Sequence, residues 1–250
     1  MSYVIRTKKI SLVGERLRMQ NNQSGRSMIE MLGVLAIIGV LSVGSMAGFS
    51  KLMTQYRINT TMQQIQMISS KLSAMGTAGG SYKGLSANTA YRLNALPAEM
   101  VDVSSGSVVL SNAYGGAVLI EPASITSGEC GSDCDNQAYT ITYRGLPKEA
   151  CITLGAGSWN TSRNSSFIGV GVGVDTQPDA ENNVQGNIAT VKGLLLQGCG
   201  GAISDGNYVY ACAGSGSANS NALTLPLSLG NTSKACACTN DDCMMVVKFF

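Results

Sequence analysis

The 250-residue sequence contains no histidine, one tryptophan, four phenylalanines and five prolines. Without an imidazole, a Ser-His-Asp triad, a Cys-His dyad and every zinc site that needs a nitrogen ligand are excluded by composition. The commonest general acid/base is absent as well. Charge is scarce: 13% of residues are Asp, Glu, Lys or Arg, against roughly 25% in ordinary globular chains. The formal net charge of +2, from 17 basic and 15 acidic residues, gives no overall basicity for binding nucleic acid. No paired acids or nucleophile stand at a recognisable catalytic spacing, so neither an enzyme nor a cofactor is expected. Proline is missing throughout residues 27–76, which leaves room for one helix of ~50 residues and ~75 Å.

What charge there is sits unevenly. Residues 1–25 hold Arg6, Lys8, Lys9, Arg16 and Arg18 against the single acid Glu15. An apolar run opens at Met28, is interrupted by Glu30, and continues from Met31 to Phe49 as nineteen uncharged residues. Nineteen helical residues span ~28 Å, close to a ~30 Å hydrocarbon core. With its basic flank the run fits a membrane span better than a buried core helix, and the flank keeps the N-terminus cytoplasmic. An ordinary secretory signal would have a shorter apolar stretch of ~7–15 residues with a small-residue cleavage site after it. Here the small polar stretch Gln23-Ser24-Gly25 comes before the run. A carboxylate near the lipid costs up to ~2.5–3.5 kcal/mol at mid-membrane, less near the ends, so Glu30 is a functional candidate.

Ser24-Gly25-Arg26-Ser27-Met28-Ile29-Glu30-Met31-Leu32 resembles the cleavage and methylation signature of type IV prepilins. The resemblance implies cleavage by a prepilin peptidase between Gly25 and Arg26, and N-methylation of the new Arg26 amine. It makes Glu30 the fifth mature residue, paired with the N-terminal amine of a neighbouring subunit. A lone carboxylate whose partner arrives only with the next subunit acts as a registration signal. Arg26 departs from the family pattern, in which the first mature residue is usually Phe or Met.

Beyond Phe49, Ile58, Met62, Ile65, Ile68, Leu72 and Met75 recur at steps of three and four, tracing one face of a helix. Gly76 to Gly84 reads as a loop. A short helix capped at Ser86 or Asn88 is expected to end before Pro97. Strands are expected at Ser107–Leu110, Ala117–Glu121, Ala138–Tyr143, Asn207–Cys212 and Met244–Phe250, with a helix at Leu146–Leu154. Gly169 to Gly173 alternates glycine with valine and reads as an extended segment, because a dinucleotide fingerprint needs a strand–helix setting that is missing. Tyr82 to Leu85, Leu93 to Pro97, Tyr143 to Cys151 and Ala237 to Asn240 are similar to head segments of type IVb pilins.

Eight cysteines in an exported chain read as disulfides, with 105 possible pairings. The type IVb resemblance implies Cys151–Cys238. Cys130–Cys134, Cys199–Cys212 and Cys236–Cys243 would complete a set. A zinc site on Cys236, Cys238 and Cys243 with Cys212 as fourth ligand is the rival, disfavoured by an oxidising compartment, so no metal site is expected.

The expected architecture is α+β, a long N-terminal helix packed on an antiparallel sheet. Its parts are a leader at 1–25, a transmembrane and filament-core half-helix at 26–50, and a disulfide-stapled head at 51–250. The resemblance implies a structural pilin that passes from the inner membrane into an extracellular pilus. Its implied partners are copies of itself, the peptidase and inner-membrane assembly machinery, the membrane, and host or bacterial surfaces. A minor pilin or pseudopilin of a secretion or conjugative system is the alternative. A membrane-tethered periplasmic binding module that never polymerises is the second.

Overall fold

The computed structural model describes residues 24–104, 106–125, 134–159, 166–176, 187–197, 202–204, 208–212 and 225–250. Helix α1 runs from Ser24 to Gly79, through the expected loop start at Gly76. The chain divides into two compact units, Met1–Lys51 and Leu52–Phe250.

In the first unit, every described side chain from Met28 to Lys51 is exposed. In the second unit α1 is one-sided: Ile58, Ile65, Ile68 and Leu72 are buried, Met62 packs beside them, and Met75 is exposed. Thr61 and Gln64 are buried as well, which apolar periodicity could not show. Helix α2, Ala87–Arg92, is capped by Ser86, whose hydroxyl accepts from the Thr89 amide. A 3₁₀ turn at Ala98–Met100 leads into a small hairpin of β1 (Val101–Ser104) and β2 (Ser107–Leu110).

The main sheet is antiparallel throughout. Its strands are β3 (Val118–Ala123), β4 (Ala138–Leu146), β5 (Phe167–Val174), β6 (Ala202–Ser204), β7 (Tyr208–Cys212) and β8 (Cys243–Phe249). Their spatial order is β3-β4-β8-β5-β7-β6. Helix α3, Lys148–Gly155, and helix α5, Leu229–Ala235, contact each other and β5. One sheet face contributes Tyr139, Ile141, Tyr143, Val170, Val172, Met245 and Val247 to the core shared with α1 and α3. The other face lies under α4, Asn187–Gln197, with Ile168, Tyr210, Met244 and Val246 packed on Ile188, Val191 and Leu195.

Covering on both faces is why β8 is buried at every residue; such a strand reads as a continuous apolar run. The glycine alternation in β5 has the same origin. A register irregularity between Phe167 and Gly169 puts Val170 and Val172 toward α1 and Gly171 toward α4. A Cβ at Gly171 would collide with Val191 and press on Tyr210 and Leu195, so the glycine sets how closely α4 approaches. Helix α4 is therefore a second helical layer, which the apolar residues between Ile188 and Leu196 do not by themselves distinguish from a strand, and α5 and β1 carried no sequence signal.

Charged side chains are buried on the α4 face. Register aligns Glu121, Thr140 and Lys248 across β3, β4 and β8. Lys192 of α4 pairs with Glu121 at 2.7 Å, while Lys248 Nζ donates to the Ser124 carbonyl. Burial pushes the Lys248 amine down to about 8. On the α1 face, burial pushes the Tyr139 and Tyr143 phenols well up, Tyr139 partly relieved by Ser73.

The two groups pull stability in opposite directions with pH. An amine titrating lower in the folded state destabilises when charged, so stability rises from about pH 8 toward the unfolded lysine value near 10.5. The tyrosines keep their protons longer when folded, so their contribution is complete below about pH 10 and lost above it. Urea unfolding of the oxidised full-length chain in detergent should therefore peak between about pH 9 and 10. In Lys248→Met the climb between about pH 8 and 10 should vanish; an unchanged climb would show that another group carries it.

Candidate functional site

Gly25 and Arg26 lie in the first turn of α1, and Glu30 one turn further on, exposed. Around it the large apolar side chains from Met28 to Phe49 are 52% to 76% exposed. The hydroxyls of Ser42, Ser45 and Ser50 donate back to the carbonyls of Ile38, Leu41 and Met46, so their polarity is satisfied within the helix. The window is long and apolar enough to cross a membrane.

The cysteines correct the expected pairing. Cys151, inside α3, is bonded to Cys236 with 5.9 Å between their Cα atoms. Cys238 is bonded to Cys243 with 5.4 Å between theirs. Cys151–Cys238 and Cys236–Cys243 are thus both replaced. The reason is α5: it caps at Cys236 and packs on α3, so the last residue of its final turn meets Cys151. Cys238 lies two residues on, in the loop that returns to Cys243 at the head of β8. Cys134 and Cys212 are also disulfide-bonded; Cys130 and Cys199 lie outside the described residues. The zinc alternative had grouped Cys212 with Cys236, Cys238 and Cys243. In the fold it is Cys151 whose sulfur clusters with those of Cys236 and Cys243, all within 4.8 Å of one another.

The loop between Cys238 and Cys243 is organised by Asp242, whose carboxylate accepts from the amides of Thr239 and Asn240. The Asp242 carbonyl accepts from the Asp175 amide at 2.7 Å, tying this loop to the end of β5. Asp175 in turn holds Arg144 Nε at 2.7 Å, with both side chains fully buried. The Arg144 carbonyl accepts from the Asn112 amide group at 2.7 Å. This chain from Asn112 to Asp242 fixes the loop ends against the sheet. Nothing in the sequence had singled out Arg144, Asp175 or Asn112; the only available signal was their charge or polarity inside strand-like stretches.

Among known proteins, the PilS N terminal family matches residues 55–210, more than half of the chain. The solved type IVb pilin from Salmonella typhi is similar at 18% identity and a TM-score of 0.41, over 76% of this chain and 97% of that one. No curated protein matches the chain. The family match runs from Gln55 in α1 into β7 and leaves out α5 and the central strand β8. The chain belongs to the PilS family of type IVb pilins, the structural subunits of pili.

Proposed function

We propose that the chain is a prepilin cut between Gly25 and Arg26 and polymerised as the major subunit of a type IVb pilus. The observation that carries this reading is the apolar surface of Met28–Phe49, exposed at every described residue. Such a surface is stable only in lipid or against other helices. It would serve first as an inner-membrane anchor and then as filament core. Extraction exchanges lipid contacts for helix–helix contacts, and Gly33, Gly39, Gly44 and Gly48, which have open space at their Cβ positions, permit close approach of neighbouring helices.

In the assembled state Glu30 would meet the Arg26 amine of a neighbour. Cleavage would also make Glu30 part of the first turns of the mature helix, where a carboxylate complements the positive end of the dipole. Head-to-tail association of identical subunits is the open, heterologous arrangement that yields filaments. The peptidase, the inner-membrane assembly machinery and a host or bacterial surface are the partners this reading adds.

Mass spectrometry of the sheared surface fraction tests it. An abundant N-terminal peptide starting at Arg26, with or without a methyl group, is the expected result. A surface protein still carrying residues 1–25 would overturn the processing, and a trace of the cleaved form beside another abundant subunit would mark a minor pilin.

A further inference from the structure

The two described disulfides lie close together. The sulfurs of Cys151, Cys236 and Cys243 lie within 4.8 Å of one another although Cys243 is bonded elsewhere, to Cys238. Cys151, Cys236 and Cys243 are fully buried, whereas Cys238 keeps 7% of its surface. Cys238 also sits beside the exposed residues Ala237, Thr239 and Asn240. Exchange needs a thiolate with access to a disulfide sulfur. Of the four, only Cys238 reaches the surface at all, in a short loop with exposed neighbours, so an external thiolate meets it first; Cys243 stands beside the inner bond.

We propose that the Cys238–Cys243 disulfide is the port through which thiol–disulfide exchange reaches the buried Cys151–Cys236 bond. A thiolate of an external dithiol attacks Cys238 Sγ; the new bond is a mixed disulfide, and the electron pair leaves on Cys243 Sγ. The Cys243 thiolate then attacks Cys236 or Cys151, forming a disulfide to one and expelling the other as a thiolate. The second thiol of the dithiol resolves the mixed disulfide, leaving as a cyclic disulfide and freeing Cys238. One dithiol is oxidised, one protein disulfide is reduced, and the remaining one has changed partners. Short reach is what makes the second step fast: the nucleophile is held beside its target rather than recruited from solution.

The test is a dithiothreitol pulse on the oxidised full-length protein in detergent, quenched by alkylation and mapped by mass spectrometry. Species pairing Cys243 with Cys151 or Cys236 should appear before full reduction. In Cys238→Ser/Cys243→Ser, shown folded by circular dichroism, reduction of Cys151–Cys236 should slow at least about tenfold. Equal or faster opening of that bond, with no Cys243-containing isomer, overturns the proposal. Should the double variant not fold, Cys238→Ser decides alone, since it leaves Cys243 as a resident thiol. After incubation at pH 8, part of the protein should carry Cys243 in a disulfide with Cys151 or Cys236; a wholly free Cys243 overturns the proposal.

Discussion

Glu30→Ala is expected to be inserted and cleaved like the wild-type chain and to reach the surface as filament at a level about 10- to 100-fold lower. The size follows from the cost of a carboxylate in the apolar phase, up to ~2.5–3.5 kcal/mol and less toward the membrane edge. Glu30 is exposed in the isolated subunit, so in the membrane that cost would stand until a partner arrives. On the proposed reading a neighbour's amine would relieve it in the filament, so assembly would gain what the isolated subunit lacks. Alanine removes the cost and the gain together, which leaves insertion untouched and registration lost. Glu30→Gln, neutral but still able to accept a hydrogen bond, should fall between. The readout is the ratio of subunit in the sheared fraction to subunit in the membrane. Wild-type filament levels in the alanine variant would refute the role given to Glu30, whereas loss from the membrane would point to insertion instead.

Stability should depend very differently on the two described disulfides. Cys151–Cys236 closes a separation of 85 residues and Cys238–Cys243 one of 5. On the chain-entropy estimate these are worth up to about 4.6 and 2.2 kcal/mol. Cys151→Ala/Cys236→Ala should therefore lose about 2 kcal/mol more than Cys238→Ala/Cys243→Ala in urea unfolding of the full-length chain in detergent. Equal losses would refute the entropic account. Non-reducing peptide mapping with cleavage at Ala237 separates the two cysteines and checks the pairing directly, since Cys151 should travel with Cys236.

That pairing shows where sequence reading stops. The first, apolar half of α1 was legible as a helix because nineteen uncharged residues without proline admit few structures. Strand β2 and the Ser86 cap matched closely because turn and capping chemistry act over three or four residues. The difference between Cys236 and Cys238 is one of tertiary placement. It is decided by where α5 ends, and Leu229–Ala235, with its glycine, asparagine, threonine and serine, has no periodic apolar face to announce a helix. The α4 layer was hidden for a related reason: Ile188–Leu196 is a short apolar run, and length alone does not separate strand from helix there. Arg144 and Asp175 were invisible because a buried ion pair is made by residues far apart in sequence, and each looks like ordinary surface charge on its own. Of the candidate site, Glu30 lies in the helix that the uncharged run predicted, and its pairing is a proposal.

The strand order carries a consequence for synthesis. Strand β8 comes after every other strand along the chain but lies between β4 and β5. Until it arrives, β3-β4 and β5-β7-β6 are two separate ribbons with no hydrogen bonds between them, and each presents an open edge. Such late, long-range pairing is slow and is completed only after loop closure. A nascent head halted before Cys243 cannot close its sheet, and three of the four cysteines in the two described disulfides have either just emerged or are still to come. In a chain made from its N-terminus onward, the head thus stays incomplete until its last described strand has been added.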